Sequence, residues 1–318
     1  MHHFIRQIKY FLLITERWIH RRLRFIVLPG FDGMPLYDVL IFFFRGLFKG
    51  VITYRAAAIA YNFFLALVPF ILFLFTLIPF VTSEDYQADL LDMMVELLPT
   101  NIYEMAESTI VGVVSRQSTG LLSLVFFMAI YFATNGIDAI LQGFGQSYHA
   151  DKLWPWWKQK LTALALLTGF SVLIFFVMGL LGFGKLLINV LYQQKVFTGT
   201  GTHFWLSTLR WVIIFIFLLL SISGLYFFGQ PKDRKQNKYR FISPGSLLGT
   251  FLFILGGILL KLYFQNLTRY NLIYGSLGSI IVLMVWLYYN AIILLIGYEL
   301  NASIRQTKAK KAKYKVIE

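Results

Sequence analysis

The stretch GSLGSIIVLMVWLYYNAIILLIGYEL, residues 275–300, decides the fold of this chain. It is apolar over more than the ~20 residues that an α-helix needs to cross the core of a bilayer, and its one charged residue, Glu299, comes near its end. Five earlier runs have the same character, and they cover residues 56–80, 121–142, 161–191, 204–229 and 244–265. The sequence therefore predicts an all-α, polytopic integral membrane protein with six transmembrane helices.

The composition agrees with a membrane protein and excludes an ordinary soluble domain. Hydrophobic residues make up 58% of the 318-residue chain and charged residues only 14%, so a water-soluble fold would leave a largely apolar surface. The net charge of +14 needs no nucleic acid to explain it. We expect the partners of the basic segments to be the lipid bilayer and its anionic headgroups.

The basic residues predict how the chain is threaded. Of the 29 Lys and Arg residues, 23 fall in four segments, namely residues 1–55, 143–160, 230–243 and 301–318. Along the chain these basic segments alternate with acidic or neutral segments. Short loops rich in Lys and Arg face the cytoplasm. Both termini are therefore predicted to be cytoplasmic, in a multi-pass protein of the bacterial cytoplasmic (inner) membrane.

The segments outside the crossings divide the chain further. Residues 1–35 are predicted as a basic cytoplasmic segment without a cleaved leader, residues 36–305 as the membrane domain, and residues 306–318 as a basic tail. Within the membrane domain, residues 36–52 are predicted as an amphipathic interfacial helix. Residues 81–119 are predicted as a helical external segment that caps the bundle, or as a plain solvated connector.

Polar residues recur on one face of two crossings. In the second crossing Asn135 and Asp138 share a helix face with Tyr131 and Gln142, and in the sixth Asn290 shares a face with Trp286 and Gly297. Such residues usually face the bundle interior or a wet cavity, where they line a pathway or form interhelical hydrogen bonds. We treat Asn135 and Asn290 as candidate pathway residues.

The predicted threading places six charged residues at defined depths. Arg55, Asp138 and Glu299 fall near the cytoplasmic ends of their helices, where they form either an inner gate or a structural salt-bridged cluster. Lys185, Arg210 and Lys261 fall near the outer ends, where they either attract an anion or extend to the interface. Pro69, near the middle of the first crossing, predicts a kink or break and is a candidate hinge.

Soluble-enzyme chemistry finds little support in the chain. Cysteine is absent, and the five histidines are scattered without a metal-ligand spacing. The stretch Gly179 to Lys185 resembles a phosphate-binding loop, but Leu186 replaces the required Ser or Thr. We therefore predict no catalytic residues, no metal, no cofactor and no ATP hydrolysis.

The chain contains an ordered set of motifs: RAAAIAYNFFLALVP at residues 55–69, Gly136-Ile137-Asp138, Ser243-Pro244-Gly245, YGSL at residues 274–277, Trp286, Tyr288 and LIGYE at residues 295–299. This set resembles the YihY/BrkB family of bacterial inner-membrane proteins, and the similarity covers about residues 36–305. The resemblance implies a six-helix protein of the cytoplasmic membrane. An older family label, ribonuclease BN, implies tRNA processing, but the chain offers no clustered carboxylates or histidines for such chemistry.

Two functions of different class follow from these patterns. The first is a transporter or lipid-handling protein for an anionic or amphipathic substrate, which does not hydrolyse ATP. The second is a non-transporting membrane scaffold that binds partners through its acidic or basic segments. The sequence gives neither a substrate nor an oligomeric state.

Overall fold

The computed structural model describes residues 26–49, 51–81, 119–148, 155–193, 201–230, 240–265 and 276–317. Within these ranges the chain forms α-helices joined by turns, and no strand occurs there. The helices are α1 Leu36–Lys49, α2 Ile52–Val81, α3 Thr119–Gly145, α4 Trp156–Gln193, α5 Gly201–Phe228, α6 Pro244–Gln265 and α7 Ser276–Ile317.

Five of these helices are long and apolar enough to cross a membrane. The qualifying stretches lie in α2, α3, α4, α5 and α7, and the apolar stretch of α6, Pro244–Leu260, is shorter. Many large apolar side chains on them are exposed, as lipid-facing residues are, including Phe127, Phe175 and Phe176. The prediction of an all-helical, polytopic membrane protein is confirmed.

The best-packed part of the bundle is the meeting point of α2, α3 and α7. Phe144 stacks on Tyr298 with ring centroids 4.2 Å apart, and both side chains are buried. Ile59 and Leu295 approach the backbone of Gly143 so closely that a Cβ there would lie 3.1 and 3.3 Å from them. This packing fixes α2 and the end of α3 against the middle of α7.

The start of α6 shows how local sequence and packing cooperate. Ser243 precedes Pro244, and its hydroxyl accepts a hydrogen bond from the backbone N–H of Ser246 at 3.2 Å, which is an N-cap followed by proline at the first helical position. Asn301 of α7 accepts from the N–H of Gly245 at 2.9 Å and donates to the Ser243 hydroxyl at 2.8 Å. The SPG motif therefore both begins α6 and attaches it to α7.

The helices extend beyond the predicted apolar runs. The predicted division of the chain at residue 305 stays a prediction, but the largest difference is α7, which continues through the predicted tail 306–318 to Ile317. The reason is local: no Gly or Pro follows Gly297, and Ala, Gln and Lys favour helix. The first crossing likewise begins at Ile52 and the third at Trp156.

Two further predictions concern the first half of the chain. Helix α2 continues through Pro69, so the predicted break is wrong, and a kink there stays a prediction. A proline removes one helical hydrogen bond, a loss that a membrane helix tolerates when its neighbours compensate. The external segment 81–119 and most of the basic segment 1–35 lie outside the described residues.

Candidate functional site

The first part of the site is a buried ion pair between α2 and α7. Arg55 Nη2 lies 2.7 Å from Glu299 Oε1, and both side chains are almost fully buried. Ser147, just after α3, donates to Glu299 Oε2 at 2.8 Å, so both carboxylate oxygens are occupied. Arg55 Nη1 donates to the carbonyl oxygen of Gly143 at 2.8 Å, one of the last carbonyls of α3, which lack helical partners. One arginine thus joins the start of α2 to the end of α3 and to the middle of α7.

The second part is a polar group that joins α3 to the first turns of α4. Lys160 Nζ lies 2.6 Å from Asp138 Oδ2 and donates to Asn135 Oδ1 at 2.6 Å. Gln159 donates to Asp138 Oδ1 at 2.6 Å, and Gln142 donates to Oδ2 at 3.1 Å. The Asp138 carboxylate is 5% exposed but the Lys160 side chain is 38% exposed, so this pair extends to the surface of the bundle.

A cavity of about 250 Å³ lies between the two groups and is called here the polar cavity. Arg55 and Asn62 of α2 line one side, while α3 contributes Asn135, Asp138 and Gln142. Lys160 lines it from α4. Polar side chains from three membrane helices therefore converge on one space, although apolar residues dominate these helices elsewhere.

Arg55 lines this cavity and also carries an unsatisfied donor. Its Nε–H has no hydrogen-bond partner among the described residues, although Arg55 is only 5% exposed. A buried polar group without a partner costs about 1–3 kcal/mol, and more when it is charged. Holding the Arg55 guanidinium between the helices is therefore costly, and the ion pair with Glu299 offsets part of that cost.

The structure separates residues that the sequence placed together. Arg55 and Glu299 form one pair and Asp138 pairs with Lys160, while Arg55 and Asp138 both line the polar cavity, so the choice between an inner gate and a structural cluster stays a prediction. The spacing on α3 was informative, because Asn135, Asp138 and Gln142 line the cavity as a face of one helix. The fourth member of that stripe, Tyr131, is exposed.

Asn290 lies apart from the polar cavity. Its side-chain amide donates at 2.8 Å to the carbonyl oxygen of Trp286 on its own helix, and Trp286 is exposed. A side chain that satisfies itself on its own helix needs no partner across the bundle. Pro69 of α2 is buried and lies away from the residues that line the cavity.

Four contributors to the site were missed from the sequence: Asn62, Ser147, Gln159 and Lys160. Lys160 was counted only as part of the basic segment 143–160, because the predicted third crossing began one residue later. Its position at the start of a long apolar run was the available signal. Ser147 had none, since a lone serine beyond a helix end is common.

The predicted outer cations are not assembled into a site by the described residues. Arg210 is exposed on α5. The side chains of Lys185 and Lys261, on α4 and α6, lie outside the described residues. The prediction of an outer anion-attracting group therefore stays a prediction.

Chemically, the polar cavity offers donors and one carboxylate but not a metal site. Among the described residues no group of three His, Cys, Asp or Glu side chains lies close enough to hold a metal ion. Amide and cationic donors of Arg55, Asn62, Gln142 and Lys160 predominate around the space. This arrangement presents more cationic and amide groups than carboxylates to the space.

Comparisons with known proteins cover most of the chain. The family described as virulence factor BrkB matches residues 43–316. A Bacillus subtilis protein named as ribonuclease-like, YfkH, is 28% identical over 259 residues, which are 80% of this chain and 90% of that protein.

Two further relatives carry the name UPF0761 membrane protein. The one from Psychromonas ingrahamii is 26% identical over 85% of this chain and 88% of its own length. The one from Coxiella burnetii is 27% identical over 81% of this chain and 90% of its own length. No solved structure matches the chain.

Proposed function

This chain belongs to the virulence factor BrkB family of membrane proteins, and we propose that it moves or handles an anionic or amphipathic substrate, such as a lipid, within the bilayer. The proposed path runs through the polar cavity at the ends of α2, α3 and α4. Transport proceeds without ATP hydrolysis in this proposal, because the chain offers no phosphate-binding loop in a suitable context.

One observation carries the proposal: polar and charged side chains from three membrane helices, Arg55, Asp138 and Lys160 among them, converge on the polar cavity. Polar and ionisable residues inside a membrane protein are costly and usually mark a substrate or ion pathway. Two cationic side chains, Arg55 and Lys160, line the cavity beside one carboxylate, Asp138, and this balance of charge favours a passing anion. A purely structural ion pair would need no adjacent cavity.

The proposal includes six crossings and a definite orientation. Helix α6 supplies the sixth crossing despite its shorter described apolar stretch, because an even number returns the chain to its starting side. The positive-inside rule then places both termini in the cytoplasm, in the inner membrane of a bacterium. The polar cavity would open toward the cytoplasm.

An enzymatic role is not part of the proposal. The ribonuclease-like name belongs to the Bacillus subtilis relative, and this sequence lacks the clustered metal ligands or paired acid, base and nucleophile that hydrolysis of RNA requires. We propose that the chain binds no nucleic acid and that its basic segments contact anionic headgroups instead.

Two asparagines provide a matched test. The full chain is reconstituted in liposomes that contain fluorescent phosphatidylglycerol or phosphatidylcholine, and exchange between leaflets is followed by chemical quenching. Asn135→Ala removes an amide from the polar cavity, whereas Asn290→Ala removes one that bonds its own helix. We expect Asn135→Ala to slow exchange about tenfold and Asn290→Ala to leave it near the wild-type rate.

The outcomes separate the possibilities clearly. Equal rates for the two variants, with both proteins folded, would remove the polar cavity from the path. Absence of exchange in the wild type would contradict lipid movement, and flux of small anions in the same liposomes would then identify a solute substrate.

The scaffold alternative is favoured by one observation, the long end of α7. Lys308 Nζ lies 3.0 Å from Asp32 Oδ2, and Thr307 is buried, so this end is packed against the N-terminal turn. A fixed basic helix is suited to hold a partner. Deleting residues 312–318 tests this function, since the deletion leaves Lys308 in place. If the shortened protein no longer functions in cells but still exchanges lipid between leaflets at the wild-type rate, the scaffold function is favoured.

A further inference from the structure

A second and larger space lies between α4 and α5 on the opposite side of the first turns of α4. This apolar cleft has a volume of about 950 Å³ and is lined on α4 by Leu161, Ala165 and Gly169. From α5 it is lined by Leu220 and Gly224. Its size is within the range of ligand-binding pockets.

The cleft exists because small residues here leave space between the helices. In membrane proteins glycine usually lets two helices approach closely. A Cβ added at Gly169 would instead find no atom within 4 Å, while one at Gly143 in the packed core would touch Ile59 at 3.1 Å. Ala165 is exposed for the same reason. The missing side chains thus form an open groove.

The dimensions of the cleft match one leaflet of a bilayer. From Leu161 to Leu173 the groove follows α4 for about 18 Å at 1.5 Å per residue. One leaflet contributes about half of a hydrocarbon core that is ~30 Å thick. Because α4 and α5 both carry membrane-spanning stretches, an acyl chain is the apolar group that reaches this groove.

One end of the cleft is polar and basic. Lys158 lines that end, and its ammonium lies 5.2 Å from the ring centroid of Trp157, which is exposed as residues of the membrane interface often are. Gln230 lines the same end and accepts a hydrogen bond from Arg305. No acidic residue lies among the described residues that line the cleft. A negative headgroup would therefore complement this end.

We propose that the apolar cleft between α4 and α5 is a binding site for an anionic phospholipid, with one acyl chain between Leu161 and Leu173 and the phosphate beside Lys158. The inference rests on the proposed lipid-handling function and names its substrate class. It places the lipid next to the polar cavity, because Lys158 and Lys160 lie on the first turns of the same helix and line the two spaces separately.

The test uses phosphatidylglycerol and phosphatidylcholine probes with the same photoactivatable acyl chain, added to the full chain in lipid nanodiscs. Labelled peptides are mapped by mass spectrometry. We expect phosphatidylglycerol to label the peptides of α4 and α5 that line the cleft. Gly169→Leu fills the groove and should reduce this labelling at least fivefold, and Ala165→Leu serves the same purpose if that variant does not fold.

The chain offers a matched control for the filling variants. Gly179 lies on the same helix, also has no atom within 4 Å of an added Cβ and is not part of the cleft. Gly179→Leu should leave labelling unchanged. Lys158→Gln should reduce the preference for phosphatidylglycerol about fivefold, the factor that one basic side chain near an anionic surface contributes.

Three results would overturn the inference. Equal labelling by both probes would indicate ordinary surrounding lipid, unchanged labelling in the filled variants would place the lipid elsewhere, and crosslinks between two copies across the cleft would identify another chain as the occupant. The leaflet-exchange assay distinguishes the two proposals. Exchange without cleft labelling contradicts only the binding site, and labelling without exchange contradicts only the transport function.

Discussion

Two glycines that lie close together in the sequence, Gly143 and Gly169, differ sharply in how neighbouring helices pack against them. At Gly143 the side chains of Ile59 and Leu295 lie against the backbone, and α2, α3 and the middle of α7 form a dense core. At Gly169 the neighbouring helix leaves the backbone open, and the apolar cleft results. The same residue in similar apolar helices thus supports tight packing in one region and open space in the other.

The charged residues differ in their surroundings in the same way as the two glycines. The buried pair of Arg55 and Glu299 lies within the dense region, where neighbouring helices exclude water and fix both partners. Lys158 and Lys160 lie at the edge of the dense region, on the first turns of α4. Lys158 lines the apolar cleft and Lys160 lines the polar cavity. The dense region is suited to act as a rigid frame, and the loosely packed region leaves the space in which we propose that a lipid binds.

The largest expected effect comes from breaking the buried pair. Glu299→Gln leaves the Arg55 guanidinium buried without its counter-charge, and the free energy of unfolding should fall by about 3–5 kcal/mol. Denaturant titration in mixed micelles measures this change. The double variant Arg55→Met with Glu299→Leu should lose less than Glu299→Gln, because no uncompensated charge remains; a loss below about 1 kcal/mol for Glu299→Gln would contradict the role of the pair.

A pair of glycine variants tests the packing contrast directly. A Cβ at Gly245 would overlap the carbonyl oxygen of Gly297 and lie 2.6 Å from Asn301 Cγ, so Gly245→Ala should cost about 1–3 kcal/mol. Gly169→Ala meets open space and should be neutral or stabilising by up to about 1 kcal/mol, because alanine favours helix. Similar losses in the two variants, measured by the same titration, would show that the cleft is closed.

Asp138→Asn should have a smaller effect on stability than Glu299→Gln. Asparagine can still accept the hydrogen bond from Gln159, and Lys160 reaches the surface of the bundle, so a loss of about 1 kcal/mol is expected. The same titration gives the value. A loss equal to that of Glu299→Gln would place Asp138 within the rigid frame and not at its accessible edge.

The smallest effect is expected for the ion pair at the end of α7. Lys308 and Asp32 are both partly exposed, so Lys308→Ala should cost less than about 1 kcal/mol. Salt should reduce the difference between this variant and the wild type, since exposed pairs are screened. A larger loss that is insensitive to salt would mean that the end of α7 belongs to the rigid frame.

Much of the fold followed from patterns along the chain. Each predicted crossing corresponds to a helix, and residues 244–265 coincide with α6 at both ends. Boundaries next to polar sequence were less accurate, because hydropathy marks where a segment is apolar and not where its hydrogen bonds end. The extension of α7 to Ile317 is the main example, since its Lys-rich turns continue the helix without being apolar.

The candidate site was predictable in some of its residues but not in its pairing. Helical spacing placed Asn135, Asp138 and Gln142 on one face, and these three do line the polar cavity. The same argument placed Asn290 on a polar face, yet that side chain bonds its own helix. The spacing of residues along a helix defines which side chains share a face. The residues that this face contacts depend on how the helix is rotated within the bundle.

By itself the sequence determined that this protein is helical, spans a membrane several times and carries charge at the helix ends, because apolar length and local charge are properties of a single segment. The tertiary structure alone decided that Glu299 pairs with Arg55 and Asp138 with Lys160, and that one glycine packs while another borders a cleft. Those outcomes depend on distances between side chains that are far apart in the chain. These distances are set when the helices pack together, and no single segment encodes them.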